Sequence, residues 1–149
     1  MNPPSIYGCW LLDTCRISFS DNRPSKEPFQ RGMISYHSNG YMQACLSIHP
    51  RPNTSMKDLE RGHKLSTEEK SLYFDQFLSY SGTFTQTADH VHHHVLMSLN
   101  PTVIGTTLTR QFHFEQDVLV LSYTYQVRTN LSCHYLLRWK RAAYGDQRS

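Results

Sequence analysis

Short runs of β-forming residues, each closed by a cluster of turn residues, succeed one another along almost the whole chain. Cys9 to Phe19 (CWLLDTCRISF) opens the series, and the proline-bearing stretch from Asp21 to Phe29 reads as the loop behind it. Gly32 to Tyr36 and Tyr41 to Ile48 form the next two strands. They are joined by His37-Ser38-Asn39-Gly40, whose Asn-Gly pair tolerates positive φ. Pro50, Pro52 and Asn53 end the third strand, and a polar connection runs on to Leu65. Five further strands are expected at Tyr80 to Thr87, Val91 to Leu99, Val103 to Phe114, Val118 to Val127 and Cys133 to Arg141. Ala88-Asp89, Asn100-Pro101, Glu115 to Asp117 and Arg128 to Asn130 are the turns between them.

One helical signal interrupts this rhythm. Ser66-Thr67-Glu68-Glu69 is a capping box, in which the serine and the third-position glutamate satisfy two orphan N–H groups. Leu72, Phe74, Phe77 and Leu78 follow at three- and four-residue spacings, which predicts a helix from Ser66 to Ser79. Its place between the third and fourth strands suggests a lid or plug against the barrel, with Phe74 and Phe77 facing inward. Tyr144 to Ser149 reads as a frayed polar tail.

Eight strands in a meander, connected by hairpins, close most simply into an antiparallel up-and-down barrel. Closure removes exposed edges, and eight strands leave room for one small ligand. A two-sheet sandwich is the alternative. The chain's 149 residues suit a single domain, 1–149, with a core from about 8 to 141.

Composition narrows the function. A net charge of +3, from 15 Lys and Arg against 12 Asp and Glu, is too mild for a nucleic-acid footprint. The apolar runs fall far short of the roughly 20 residues of a membrane span. Cys9, Cys15, Cys45 and Cys133 have no CxxC spacing. Cys9 and Cys15, six apart on one strand, would lie about 20 Å apart, beyond disulfide reach. With no export signal at the start, free thiols and a cytoplasmic location are the expectation. The 12% aromatic content and nine histidines fit an aromatic-lined pocket.

A set of motifs now falls into order. Gly8-Cys9-Trp10 opens the first strand and Leu137-Arg138-Trp139-Lys140-Arg141 closes the last. Between them stand Gly32 to Tyr36, Gly40-Tyr41-Met42, Tyr80 to Phe84, His93-His94-Val95, Ser98 to Pro101, Gly105 and Arg110. The Gly-x-Trp start and terminal Arg resemble lipocalins and their calycin relatives, and the ordered set resembles the short lipocalin-like domain family. The sequence departs from that pattern at Leu96, where an acidic residue is expected, and at Val103-Ile104, where an aromatic-containing stretch is expected. The resemblance implies an all-β, eight-stranded antiparallel lipocalin-like barrel with one inserted helix and a ligand pocket. Trp10 would plug one end, with Arg141, or else Arg138, stacked over it. The resemblance does not imply one activity; members resembling this chain occur with small-molecule biosynthetic genes, where such barrels can act as cofactor-independent cyclases, isomerases or lyases.

The candidate chemistry centres on His90-Val-His92-His93-His94-Val95. Strand alternation puts Val91, His93, Val95, Met97 and Leu99 on one face and His90, His92 and His94 on the other. The apolar face is placed inside, which makes His93 either a ligand or proton contact or a partner of a cross-strand group. His94 is kept as a ligand candidate because which face turns inward is not settled by the pattern. The outer histidines have no carboxylate or Cys following at ligand spacing, so no metal is expected. Arg110 shares an inward face with Leu108, Phe112 and Phe114, so it needs a structural partner or a ligand oxygen. Tyr80 with Phe84, and Tyr123 and Tyr125 with Leu119 and Leu121, complete the expected lining. As catalytic residues, His93 would be a base near neutrality and Arg110 would hold a developing oxyanion.

Three functions follow. The first is a cofactor-independent isomerase, cyclase or lyase acting on a small aromatic or polycyclic secondary metabolite. The second is a carrier of a hydrophobic small molecule, and the third a dimeric interaction module with a filled barrel. A cavity lined by His, Arg and Tyr would favour the enzyme, a smooth apolar one the carrier, and none the module. No cofactor is expected, the partner is a small hydrophobic metabolite, and a homodimer is left open.

Overall fold

Hairpin after hairpin, the strands wind into a closed barrel in which each pairs antiparallel with its neighbour in sequence and the last returns to the first. The computed structural model describes residues 4–52 and 65–143. The expected frayed tail, the start of the chain at Met1 to Pro3 and most of the polar connection before Leu65 lie outside the described residues. The strands are β1 (Gly8–Phe19), β2 (Arg31–Tyr36), β3 (Tyr41–Ser47), β4 (Phe77–Gln86), β5 (His90–Ser98), β6 (Thr107–Glu115), β7 (Val118–Arg128) and β8 (Leu131–Arg141). Helix α1 (Thr67–Asp75) stands between β3 and β4. The barrel is the expected all-β architecture. Closure runs along β1 and β8, from Trp10 opposite Arg141 to Phe19 opposite Cys133.

Local sequence sets several of these elements directly. The β2–β3 turn folds on Gly40 at φ 91°, and the His37 N–H donates across it to Tyr41 O at 2.9 Å. Ser66 caps α1 by accepting from the Glu69 N–H at 3.1 Å, and the Glu69 carboxylate accepts from the Ser66 N–H at 3.1 Å. The helix ends earlier than its apolar spacing predicts. Phe77 and Leu78 are drawn into the ladder opposite Ser47 and Leu46, so they belong to β4. None of the helix's residues is buried, and Phe74 is exposed at the barrel mouth. Arg51 fastens this region, donating to Tyr73 O at 3.2 Å with its guanidinium over the Tyr73 and Phe77 rings.

The opposite end is sealed. Trp10 is 1% exposed, its indole N–H donates to Ile6 O at 2.8 Å, and Phe114 packs beside it. The Arg141 guanidinium stacks 4.1 Å from the Trp10 ring and donates to the carbonyls of Ser5 and Tyr7 at 2.7 and 2.6 Å. A cation over an indole is worth on the order of 1 kcal/mol. Here it also pins the N-terminal segment across the barrel floor. Above the plug the core runs through Leu12, Ile34, Met42, Phe84, Val91, Leu119 and Leu137.

One irregularity matters for the site. Gly82 pairs with Val95 and Ser81 with Met97, which leaves Leu96 as an extra residue in β5. A Cβ on Gly82 would lie 1.9 Å from His94 O, so only glycine lets the two strands approach here.

Candidate functional site

Alternation along β5 turns Val91, His93 and Val95 into the barrel, and His93 is 1% exposed. Tyr36 on β2 and Tyr80 on β4 reach it from one side of the barrel. The Tyr36 hydroxyl lies 2.6 Å from His93 Nε2 and the Tyr80 hydroxyl 2.7 Å from Nδ1. Both ring nitrogens are therefore engaged. Burial, helped by the Arg110 charge and then by His94 and His92, pushes the His93 pKa down from 6.5 to about 3. The imidazole is neutral at physiological pH, with one nitrogen donating and one accepting.

Arg110 enters from β6, where Leu108, Arg110, Phe112 and Phe114 alternate inward. Its guanidinium lies 3.6 Å from the centroid of the Tyr123 ring and donates to Thr109 O at 3.2 Å. No carboxylate is paired with it among the described residues. Arg110 lies opposite Val91 in the β5–β6 ladder, and His93 lies opposite Leu108, so the expected pair are diagonal neighbours rather than hydrogen-bonded partners. Burial raises the pKa of Tyr36, Tyr80 and Tyr123 alike, against the pull of Arg110 toward the phenolate. All three stay neutral phenols.

These groups line an internal cavity in two parts. A deep pocket of about 50 Å³ has Ile34, Leu121 and Trp139 as walls and His93, Arg110 and Tyr123 among its polar groups. Above it a mouth of about 360 Å³ is lined by Phe29, Phe74, Phe77, Leu99 and Val103. Leu78, Tyr80 and Arg110 border both parts. A mouth of that size accepts a single substituted aromatic ring.

The structure thus gathers His93, Arg110, Tyr80 and Tyr123, and sorts the other expected residues differently. Phe84 is buried edge-on against Tyr36 at 4.9 Å, and Phe112 packs on Phe114 at 6.2 Å. Both face inward, but neither lines the cavity. Met97, expected inside, is outside and 67% exposed: the extra residue at Leu96 shifts the alternation, so both side chains leave the barrel. Met97 borders a separate hollow on the outer wall with Met33 and Gln43. Tyr125 is also corrected. The β6–β7 ladder ends at Gln111 opposite Ser122, so Tyr125 sits on a β7–β8 extension past the closed wall and is 59% exposed.

His94 points outward. Its Nδ1 and Nε2 lie 3.0 and 3.3 Å from the hydroxyls of Thr107 and Thr85. On the same outer row His92 bonds the Thr109 hydroxyl at 2.9 Å and His90 bonds Asp89 at 2.7 Å. Among the described residues no three His, Cys, Asp or Glu side chains are grouped as a metal ion requires. The four cysteines are free, and burial pushes the Cys15 thiol up to about 11. No helix among the described residues is long and apolar enough to cross a membrane.

Tyr36 and Trp139 are the site residues that the sequence pattern did not single out. Ile34 and Tyr36 alternate inward on β2, which was a usable signal, but nothing local connects Tyr36 to a histidine 57 positions away.

Comparison with known proteins matches residues 7–142 to the lipocalin-like domain family, which is the span of the barrel. A curated relative, the 4'-hydroxy-3'-methoxypropiophenone carrier protein ppsC of Aspergillus oryzae (strain ATCC 42149 / RIB 40), is 30% identical over 100 residues, covering 61% of this chain and 90% of the relative.

Proposed function

The chain belongs to the lipocalin-like domain family, and on that premise we propose that it is a carrier of a small aromatic metabolite in a secondary-metabolite pathway. The ligand's ring sits in the apolar mouth and its oxygen meets Tyr80 and Arg110. The observation that carries this reading is the clamping of His93 between Tyr36 and Tyr80. A cavity lined by His, Arg and Tyr fits the expectation for an enzyme, but what decides is whether those groups can move protons. A general base works best with a pKa near the working pH. With its pKa near 3 and both nitrogens occupied, His93 is a structural hinge for the tyrosines, not a base. The polar groups then serve to orient and select a ligand, as a few fixed polar groups do in an apolar pocket. The relative named as a carrier of an aromatic ketone supports the same ligand class.

One observation favours a second reading. Tyr80 and Arg110 border the cavity together, as an acid and a cation that stabilise an enolate would. That arrangement suits a cofactor-independent isomerase, cyclase or lyase. Incubating the protein with aryl ketones while following tryptophan fluorescence, then recovering each compound for mass analysis and chiral chromatography, separates the two. Saturable quenching with the compound returned unchanged is the expected result. Protein-dependent conversion that is lost in Tyr80→Phe or Arg110→Gln would replace the carrier reading with the enzymatic one.

A further inference from the structure

The polar groups in and behind the deep cavity form an unbalanced set. Tyr36 is 1% exposed, and the only partner of its hydroxyl among the described residues is His93 Nε2. Were Nε2 the protonated nitrogen, Tyr36 would accept from it and its own hydrogen would be buried without an acceptor, a costly arrangement. Tyr36 therefore donates to Nε2, and the Nδ1–H donates to the Tyr80 oxygen. The Tyr80 hydrogen is then left for the cavity that Tyr80 borders.

Two further donors share that cavity. Arg110 carries five N–H groups and has no carboxylate partner among the described residues. Trp139 is 1% exposed and lines the same space, and its indole N–H is buried without a partner among the described residues. No carboxylate or side-chain amide lines the deep cavity among the described residues. Among the described residues the deep cavity offers donors and a positive charge and no anion, while Asp75 stands at the mouth that Arg110 also borders.

We propose that the barrel binds its ligand as an oxyanion, an ionised phenol or enol whose oxygen sits between the Arg110 guanidinium and the Tyr80 hydroxyl, and that it lowers that ligand's pKa on binding. A neutral carbonyl would accept the same hydrogen bonds but leave the interior cation uncompensated. The Trp139 N–H selects for a second acceptor, such as a carbonyl conjugated to that oxygen. The inference rests on the reading that the barrel holds a small aromatic ligand.

The protein's own titrations do not obscure the effect. The groups facing Arg110 are Tyr80 on β4, His93 on β5, Tyr123 on β7 and Tyr36 on β2, with Asp75 at the mouth and His92 and His94 acting on His93 from outside. Burial keeps the three tyrosines and His93 neutral near neutrality. Binding therefore strengthens as pH rises through the ligand's own pKa and weakens below it.

The test uses para-hydroxyacetophenone and its methyl ether, which cannot ionise. At a pH about one unit below the phenol's pKa, excess protein should raise the long-wavelength phenolate band. The bound pKa should fall by about one unit or more, a tenfold preference for the anion. At that pH the phenol should bind about twofold more tightly than the ether, and at one unit above its free pKa, where it is already ionised, about tenfold more tightly. Arg110→Gln should abolish the band, and Tyr80→Phe should reduce it. If phenol and ether bind equally and the phenol's spectrum does not change, the oxyanion inference fails while the carrier reading stands. If neither compound quenches tryptophan fluorescence up to its solubility limit, the carrier reading itself fails and this inference with it.

Discussion

Acid should destabilise this protein through one residue in a defined pH window. His93 has a pKa near 3 in the folded barrel against 6.5 when exposed in the unfolded chain. Between those values the unfolded state binds a proton that the folded state refuses, so stability rises with pH. The His93 contribution is complete above about pH 6.5 and is lost progressively as pH falls toward 3. Each pH unit in that window is worth about 1.4 kcal/mol, so lowering the pH from 6.5 to 4.5 should remove about 2–3 kcal/mol. The carboxylates held low by partners, Asp21, Glu69, Asp89 and Glu115, overlap only the acid end of this window. Their pKa values are depressed below 3.8 for the aspartates and 4.5 for the glutamates, so what stability they add is lost at lower pH. Urea unfolding of the wild type and of His93→Gln at pH 6.5, 5.5 and 4.5 isolates the effect. Glutamine keeps donor and acceptor atoms for the two tyrosines but cannot titrate. Across the window the wild type should lose at least about 1 kcal/mol more than His93→Gln loses, whatever the absolute stability of the substituted protein. Parallel losses in the two proteins would refute the assignment of His93 as a neutral, water-excluded bridge.

Other perturbations should read out different links. Tyr36→Phe leaves His93 Nε2 buried without a partner and should cost about 1–3 kcal/mol in urea unfolding; a loss under about 0.5 kcal/mol would mean the nitrogen finds another partner. Trp10→Ala opens the sealed end and uncovers Arg141, for an expected loss of about 3 kcal/mol or more by thermal or urea unfolding. An unchanged midpoint would remove the plug assignment. Gly82→Ala forces a methyl into the His94 carbonyl and should cost about 2 kcal/mol or more, with hydrogen exchange accelerated in β4 and β5; wild-type protection there would show that the bulge relaxes freely.

Much of the barrel was legible because strand, turn and cap signals are local. Alternation of apolar residues follows from the two-residue period of a strand, so Val91, His93 and Arg110 could be placed inside without knowing their neighbours. Asn39-Gly40 and the Ser66–Glu69 box specify their turn and cap through backbone conformation and short-range hydrogen bonds. Trp10 and Arg141 were matched across the chain only by their place in a family pattern, and the barrel brings them together by closing β1 on β8. The rest depended on what each strand pairs with. An extra residue at Leu96 shows itself only where β5 meets Gly82 of β4, and it alone turned Met97 outward. Tyr125 lost its place inside because the β6 ladder stops at Ser122. The Tyr36–His93–Tyr80 bridge joins three strands, and no local signal shows that both His93 nitrogens are engaged or that its pKa falls to about 3. Burial and partner choice set a pKa, and both are properties of the closed barrel rather than of any one segment of its sequence.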